Sequence, residues 1–211
     1  MNMKKTATPI YLLRPCGLLL VLILLLVGCT ATRPEAAIKV YDFGPAPLQT
    51  PTAASQPALA TLVLYEPQVS PALEGNALLY RLAYADAQQL KPYALARWSM
   101  PPAQLIGQRL RQQLGAQRAV VAPGEATAQL NLRLVLEEFS HVFASATDSH
   151  GLLRLRATLT QRSGSGETLL AQRSFVVQQA ASTPDAQGAV RALTAASDQA
   201  IEQLTAWLPP L

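Results

Sequence analysis

The sequence predicts an α/β fold of the α+β type, in which a mainly antiparallel sheet of about seven strands is covered by two amphipathic helices in a sandwich-like arrangement. Three observations support this fold class. Several segments alternate apolar and polar residues with the period of a strand, two others repeat apolar residues with the period of a helix, and stretches rich in Pro, Gly or Ser separate them. Because two helices cover only one face of a broad sheet, we expect two layers.

The first part of the predicted domain contains four strands and one loop. The strands are the segments IKVYDFGP (Ile38 to Pro45), TLVLYEP (from Thr61), NALLYRLAY (Asn76 to Tyr84) and a short one within Leu90 to Trp98. The second strand is an apolar run suited to a buried position, and Pro67 and Pro71 end it. The stretch APLQTPTAASQPALA predicts a loop, since it is rich in Pro, Ser, Thr and Ala.

The segment SMPPAQLIGQRLRQQLG predicts the first helix. Ser99 is expected to cap its first amides, and the two prolines suit a first turn, where amide hydrogens lack partners. One stripe is apolar and predicts the buried face: Ala103, Ile106, Leu110 and Leu114. Gly115 is a suitable end.

The second half predicts a short strand (RAVVAP), a long strand and a hairpin. In the long strand, AQLNLRLVLEEFSHVF, four leucines share a face: Leu130, Leu132, Leu134 and Leu136. After Glu137 and Glu138 the apolar phase shifts to Phe139 and Phe143, which predicts a β-bulge. The hairpin buries Leu153, Leu155, Ala157 and Leu159 on its first strand, turns at Ser163 to Gly166, and places Leu169, Ala171, Phe175 and Val177 on one face of its second strand.

The last predicted element is a long helix from about Pro184 to Leu208. Ser182, with Asp185 three residues later, forms a start similar to a capping box. The apolar stripe contains Ala186, Ala189, Val190, Leu193, Ala200, Ile201, Leu204 and Leu208, and Pro209 and Pro210 end the helix.

The amino-terminal segment predicts export and lipid attachment. A basic stretch precedes 11 apolar residues from Gly17 to Val27, too few for a bilayer-spanning helix and typical of a signal peptide. The following Leu-Val-Gly-Cys resembles the bacterial lipobox, which implies that Cys29 carries lipid, including an acyl chain such as palmitate. Residues 1–28 are thus expected to be removed as a signal peptide, residues 29–37 to be a lipidated tether, and residues 38–211 to form the domain. Thr30, rather than aspartate, follows Cys29 and resembles an outer-membrane sorting signal; the inner membrane is the less favoured location.

Composition limits the functions that are open to the domain. Three of the 17 Lys and Arg residues precede Cys29, so 14 basic residues face 13 acidic ones. This balance argues against nucleic acid as a partner, which requires a basic excess. Cys16 is also removed with the signal, and the expected domain therefore contains no disulfide and is stabilised by packing alone.

Candidate catalytic and metal-binding motifs are weak. The two histidines, His141 and His150, do not have metal-ligand spacing, and we expect no metal site and no cofactor. The stretch SATDSHG brings Ser145, Asp148, Ser149 and His150 together in sequence, but it is interpreted as a turn between strands. Glu137 and Glu138 are expected to point to opposite faces, as adjacent strand residues do. The tip at Gly164 to Gly166 is no phosphate loop, because no helix follows it. The sequence therefore predicts that the protein is not an enzyme.

Three arginines alternate with leucines on neighbouring strands: Arg133, Arg154 and Arg156. They predict a basic stripe on the outer face of the sheet. Two interpretations remain open, a solvated surface and a docking surface for an acidic partner or lipid headgroup.

The order of these segments resembles the ABC-type transport auxiliary lipoproteins, the family of the lipoprotein component of the paraquat-inducible system. The resemblance rests on the lipobox, VYDFGP, TLVLYEPQVSPAL and, above all, the segment from Tyr80 to Leu114 with Arg97 and Trp98 before a helix that begins with prolines. It implies a periplasmic partner with an MCE domain, membrane transporter subunits, and transport of lipids or other hydrophobic compounds. A homo-oligomer is a further expectation. The alternatives are a lipoprotein that holds lipid or lipopolysaccharide in its own cavity, and a periplasmic hydrolase.

Overall fold

The computed structural model describes residues 36–46, 59–164 and 166–209. From Ile38 onward these residues form one compact unit. The strands are β1 (Lys39–Tyr41), β2 (Leu59–Leu64), β3 (Gln68–Val69), β4 (Ala77–Leu82), β5 (Lys91–Trp98), β6 (Arg118–Val121), β7 (Leu130–Phe143), β8 (Ser149–Ser163) and β9 (Gly166–Ala180). The helices are α1 (Ala83–Asp86), α2 (Pro102–Gly115) and α3 (Ala186–Trp207), with a 3₁₀ turn at Pro71–Leu73.

The long strand β7 organises the sheet. On one side it pairs with β8, which pairs with β9, both antiparallel. On its other side β7 pairs with β2, β3 and β4, all parallel, and β6, β5 and β1 extend the sheet from there. The described sheet therefore has nine strands and is mixed, and the prediction of about seven mainly antiparallel strands was wrong on both counts. The α/β class itself is confirmed, but the described residues contain three helices instead of the predicted two, the additional one being the short α1.

The parallel pairing arises from a single interrupted stretch of chain. From Leu59 to Leu82 the chain runs alongside β7, touching it first through β2, then through β3 and finally through β4. Pro67 and Pro71 interrupt this stretch, because proline has no amide hydrogen for a ladder. Its direction relative to β7 depends on contacts between residues far apart in sequence, which alternation of apolar residues does not specify.

Two bulges set which side chains face the core. The predicted bulge in β7 is confirmed, since the register shifts between Leu136 and Glu138. A second bulge, between β8 and β9, lies where Leu159 faces Ala171 and Thr160 faces Leu169. Because of this extra residue, the expected placement of Leu169 on the buried face was wrong, and its side chain is 60% exposed.

The two long helices pack on the inner face of the sheet, and the predicted stripe of α2 is buried. Neither predicted cap has the expected form. Ser99 does not cap α2, which begins after Pro101 with no side-chain hydrogen bond. At α3 the Oδ1 atom of Asp185 accepts the Gly188 amide at 2.7 Å, so Asp185 is the cap and Ser182 is not. Among the described helices none is long and apolar enough to span a membrane.

The core lies between the inner sheet face and the helices. Trp98, at the end of β5, is 1% exposed and packs against Phe43 and Phe139 with ring centroids 5.5 and 5.7 Å away. This cluster closes the core beside β1, since Trp98 pairs with Tyr41 in the sheet.

Candidate docking surfaces

The predicted basic stripe is largely neutralised by carboxylates. Arg133 pairs with Glu167 through Nη1–Oε2 and Nη2–Oε1 distances of 2.5 and 2.9 Å, and its guanidinium lies 4.2 Å from the ring centre of Tyr65. Hydrogen bonds from Arg133 and from the Thr160 hydroxyl lower the pKa of Glu167 to about 2. Both charged side chains are about one-third exposed, so the pair sits at the surface.

The bulge in β7 brings its two carboxylates to arginines of the outer face. Glu137 pairs with Arg156 at 3.3 Å, and Glu138 pairs with Arg81 at 3.1 Å. The expectation that these carboxylates point to opposite faces was therefore wrong, because the extra residue breaks the alternation. Arg154 is exposed beside Val176, which is 54% exposed. The outer face thus carries mixed charge instead of a continuous basic stripe.

An exposed apolar patch lies at the β1 end of the sheet. Val40 faces Arg97 in the parallel β1–β5 ladder, and the same register extended by one residue places Ile38 beside Leu95. Ile38, Val40 and Leu95 are 50%, 52% and 49% exposed, whereas their neighbours Ala96 and Trp98 are buried. We call these three residues the β1–β5 patch. This patch was not predicted from the sequence, where the alternation of Ile38 and Val40 with Lys39 is the only indication of it.

The opposite end of the sheet is the long edge strand β9. Within the described chain it pairs only with β8, and it has 15 residues, most of them exposed. Its hairpin tip carries Leu169 and Leu170, which are 60% and 40% exposed. An uncovered strand of this length offers backbone amides and carbonyls to another chain.

The candidate catalytic residues belong to strands β7 and β8 and to the turn between them. His141 is fully buried, its Nδ1 atom lies 2.8 Å from the Tyr93 hydroxyl, and burial lowers its pKa to about 4. His150 lies beyond the turn that precedes β8, and it faces Val142 and Ala180 in the neighbouring strands. The predicted turn is confirmed, because the Ser145 hydroxyl accepts the amides of Thr147 and Asp148. The described residues contain no cluster of three or more potential metal ligands.

Arg109 is a buried arginine whose role was not predicted from the sequence. Its Nη2 atom donates to the Phe43 carbonyl at 2.6 Å, and its Nε lies 3.3 Å from the Asp198 carboxylate. It thereby ties the segment after β1 to helices α2 and α3. In the sequence Arg109 is a single arginine beside the apolar stripe of α2, and nothing in that pattern indicates Phe43 and Asp198 as its partners.

Two adjoining grooves lie between β2, helix α2 and β7. They share Leu64, Tyr65, Glu66 and Arg111 and have volumes of about 330 and 420 Å³. Both are open to solvent and include charged side chains. Cys29, the expected lipid attachment site, lies outside the described residues.

The fold and these surfaces define a class of protein: a two-layer α/β domain whose sheet edges and outer face are available for contact with other molecules. The family follows from comparison with known proteins. The model of the ABC-type transport auxiliary lipoprotein component family matches residues 41–205, and the chain belongs to this family. None of the curated protein sequences matches the chain.

Solved structures support the fold at low sequence identity. Protein XCC0632 from Xanthomonas campestris, described as a member of the DUF330 family, is 20% identical with a TM-score of 0.66, over 80% of this chain and 94% of its own. An uncharacterized protein is 14% identical with a TM-score of 0.57, over 81% of this chain and 97% of its own.

Family membership confirms the resemblance seen in the sequence. It makes the chain a membrane-anchored periplasmic lipoprotein that is auxiliary to ABC transport, a non-enzymatic role.

Proposed function

We propose that this chain is an outer-membrane lipoprotein, anchored through Cys29 on the periplasmic side, that docks an MCE-domain protein of an intermembrane transport system for lipids or other hydrophobic compounds. In this proposal the protein acts by binding its partners, which include membrane transporter subunits. The single observation that carries the proposal is the family match over residues 41–205. Anchoring rests on the lipobox, and the outer membrane on Thr30 after the cysteine.

The β9 edge is the docking surface that we assign to protein partners. It is long and exposed, its Val176 lies beside Arg154 of β8, and such edges pair readily with strands of other chains. The described sheet has two unlike edges in β9, which pairs with β8, and β6, which pairs with β2, and a head-to-tail contact between unlike surfaces is what a ring requires. A homo-oligomer belongs to the proposal for this reason.

The alternative carrier function requires an apolar cavity for lipid. The inner face of the sheet is instead filled by fully buried side chains such as Leu132, Leu155 and Leu193. The two grooves beside α2 are open and contain charged side chains, which suits water better than acyl chains. These features favour docking over carriage.

The test is affinity capture of the tagged full-length chain from detergent-solubilised membranes of its own host, followed by mass spectrometry. We expect an MCE-domain protein in the capture, and light scattering of the purified chain should give a mass above that of a monomer. Val176→Glu, on the outer face of β9, should reduce capture, whereas Gln117→Glu, an exposed change after α2, should not. Absence of any MCE-domain protein would remove the transport proposal, and a strict monomer would remove the oligomer.

The membrane itself is tested by separating inner and outer membranes on a density gradient. We expect the wild-type chain in the outer-membrane fraction. Recovery in the inner-membrane fraction alone would contradict the location without affecting the docking proposal.

A further inference from the structure

We infer that the β1–β5 patch rests on the lipid bilayer and forms a second, non-covalent membrane contact beside the lipid anchor. Ile38, Val40 and Leu95 would enter the interfacial layer, with Lys39 and Arg97 at the level of anionic headgroups. The inference rests on the proposed lipid attachment at Cys29, but not on the proposed MCE partner.

The position of the patch along the chain is the first argument. The tether between Cys29 and the patch consists of Thr30 to Ala37, eight residues that extend at most about 28 Å. Ile38, the first residue of the patch, follows this tether directly. A surface held so near the bilayer meets it at high effective concentration, and a contact too weak to act alone is then populated.

The composition of the patch is the second argument. Three branched apolar side chains are about half exposed on neighbouring strands, although a folded chain gains by burying such groups. A sheet edge with this composition is suited to the interface between headgroups and acyl chains, where apolar side chains bury to a depth of about 5–10 Å.

The charge beside the patch is the third argument. The arginines of the outer face at positions 81, 133 and 156 pair with carboxylates. Arg97 lies on the same face as the patch, is exposed, and forms no salt bridge among the described residues. Lys39 is also exposed and forms no salt bridge there, although it lies beside Ala96 on the other face of β1. The carboxylate of Asp42, the nearest acidic group along β1, accepts the Gly44 amide at 2.7 Å. Arg97 beside the patch therefore favours anionic lipid headgroups, and Lys39 adds positive charge at the same edge.

The experiment uses the full-length, lipidated protein reconstituted into vesicles of phosphatidylethanolamine and phosphatidylglycerol. A single cysteine is introduced by Val40→Cys or Leu95→Cys and labelled with an environment-sensitive fluorophore; once Cys29 is acylated and Cys16 is removed, no other thiol competes. Leu169→Cys is the matched control, because that leucine is at least as exposed, at 60%, but lies in the β8–β9 hairpin. Nitroxide lipids then quench labels that touch the bilayer.

We expect a blue-shifted emission at positions 40 and 95, and several-fold stronger quenching there than at position 169. Nitroxides near the headgroup should quench more than nitroxides near the acyl-chain end. Arg97→Gln should weaken quenching in these anionic vesicles and leave it unchanged in purely zwitterionic ones. Equal quenching at all three positions would overturn the inference, and so would a blue shift without lipid quenching, because a protein surface would then cover the patch.

The failure of this inference is distinguishable from failure of the proposed function. Mass spectrometry of the reconstituted chain reports acylation of Cys29 independently of the fluorophore. An acylated chain whose labels are not quenched refutes the bilayer contact alone, while capture of an MCE-domain protein tests the docking proposal separately.

Discussion

Replacement of Trp98 by alanine tests the closure of the core beside β1. The indole is 1% exposed and packs edge-on against Phe43 and tilted against Phe139. Truncation of a buried tryptophan removes its transfer free energy and leaves a cavity, which together cost about 3–5 kcal/mol. Because the ring contacts two further aromatic side chains, we expect a loss of about 4 kcal/mol in the free energy of unfolding.

The phenylalanine variant separates packing from hydrogen bonding. The buried Nε1 atom of Trp98 has no hydrogen-bond partner among the described residues. Trp98→Phe therefore removes no hydrogen bond and relieves an unpaired donor, whose burial costs about 1–3 kcal/mol. This relief offsets part of the lost packing, and we expect Trp98→Phe to cost only about 1 kcal/mol.

The assay is urea unfolding of residues 38–211, followed by circular dichroism. A thermal scan is the second assay. Each kcal/mol lost from the free energy of unfolding lowers the melting temperature of a domain this size by about 2–4 °C, so Trp98→Ala should melt about 10 °C lower than the wild type. Trp207→Ala is the control, since Trp207 is only half buried against Phe175 and should cost less. The reasoning is refuted if Trp98→Ala costs under about 1 kcal/mol, or if phenylalanine costs as much as alanine.

Three further predictions concern other parts of the chain. Gly151→Ala should destabilise the domain by about 1–3 kcal/mol in urea unfolding, because the added carbon would lie 2.8 Å from the backbone of α3, whereas Gly75→Ala meets no atom within 4 Å and should be nearly neutral. Burial keeps His141 neutral and lowers its pKa from 6.5 to about 4, so at pH values between these the unfolded chain binds one proton more than the folded chain. The free energy of unfolding should therefore decrease by about 3 kcal/mol as the pH falls from 6.5 to 4. His141→Gln should remove this pH dependence and His150→Gln should keep it, and an unchanged pH profile of stability in His141→Gln would contradict the assignment. Cys29→Ser should leave unprocessed precursor or release the protein from the membrane fraction, and normal anchoring with the wild-type mature mass would exclude Cys29 as the lipid attachment site.

Local patterns determined much of the fold class. The apolar stripe of α2 and the alternating leucines of β7 and β8 appear in the sequence and are buried as expected, since side-chain direction follows from the period of each element. The bulge in β7 was also visible, because the apolar phase shifts after Glu138. The order of segments was sufficient to indicate the family that the comparison confirmed.

Tertiary contacts decided the rest. Three features depend on contacts between residues far apart in the chain. They are the parallel direction of β2, β3 and β4 along β7, the bulge that exposes Leu169, and the contacts of Arg109 with the Phe43 carbonyl and the Asp198 carboxylate. The carboxylates that neutralise the outer-face arginines also come from distant parts of the chain. The β1–β5 patch likewise forms only because two strands that are far apart in sequence pair in one register. A sequence sets the period and polarity of each segment, whereas pairing and exposure depend on which distant segment packs beside it.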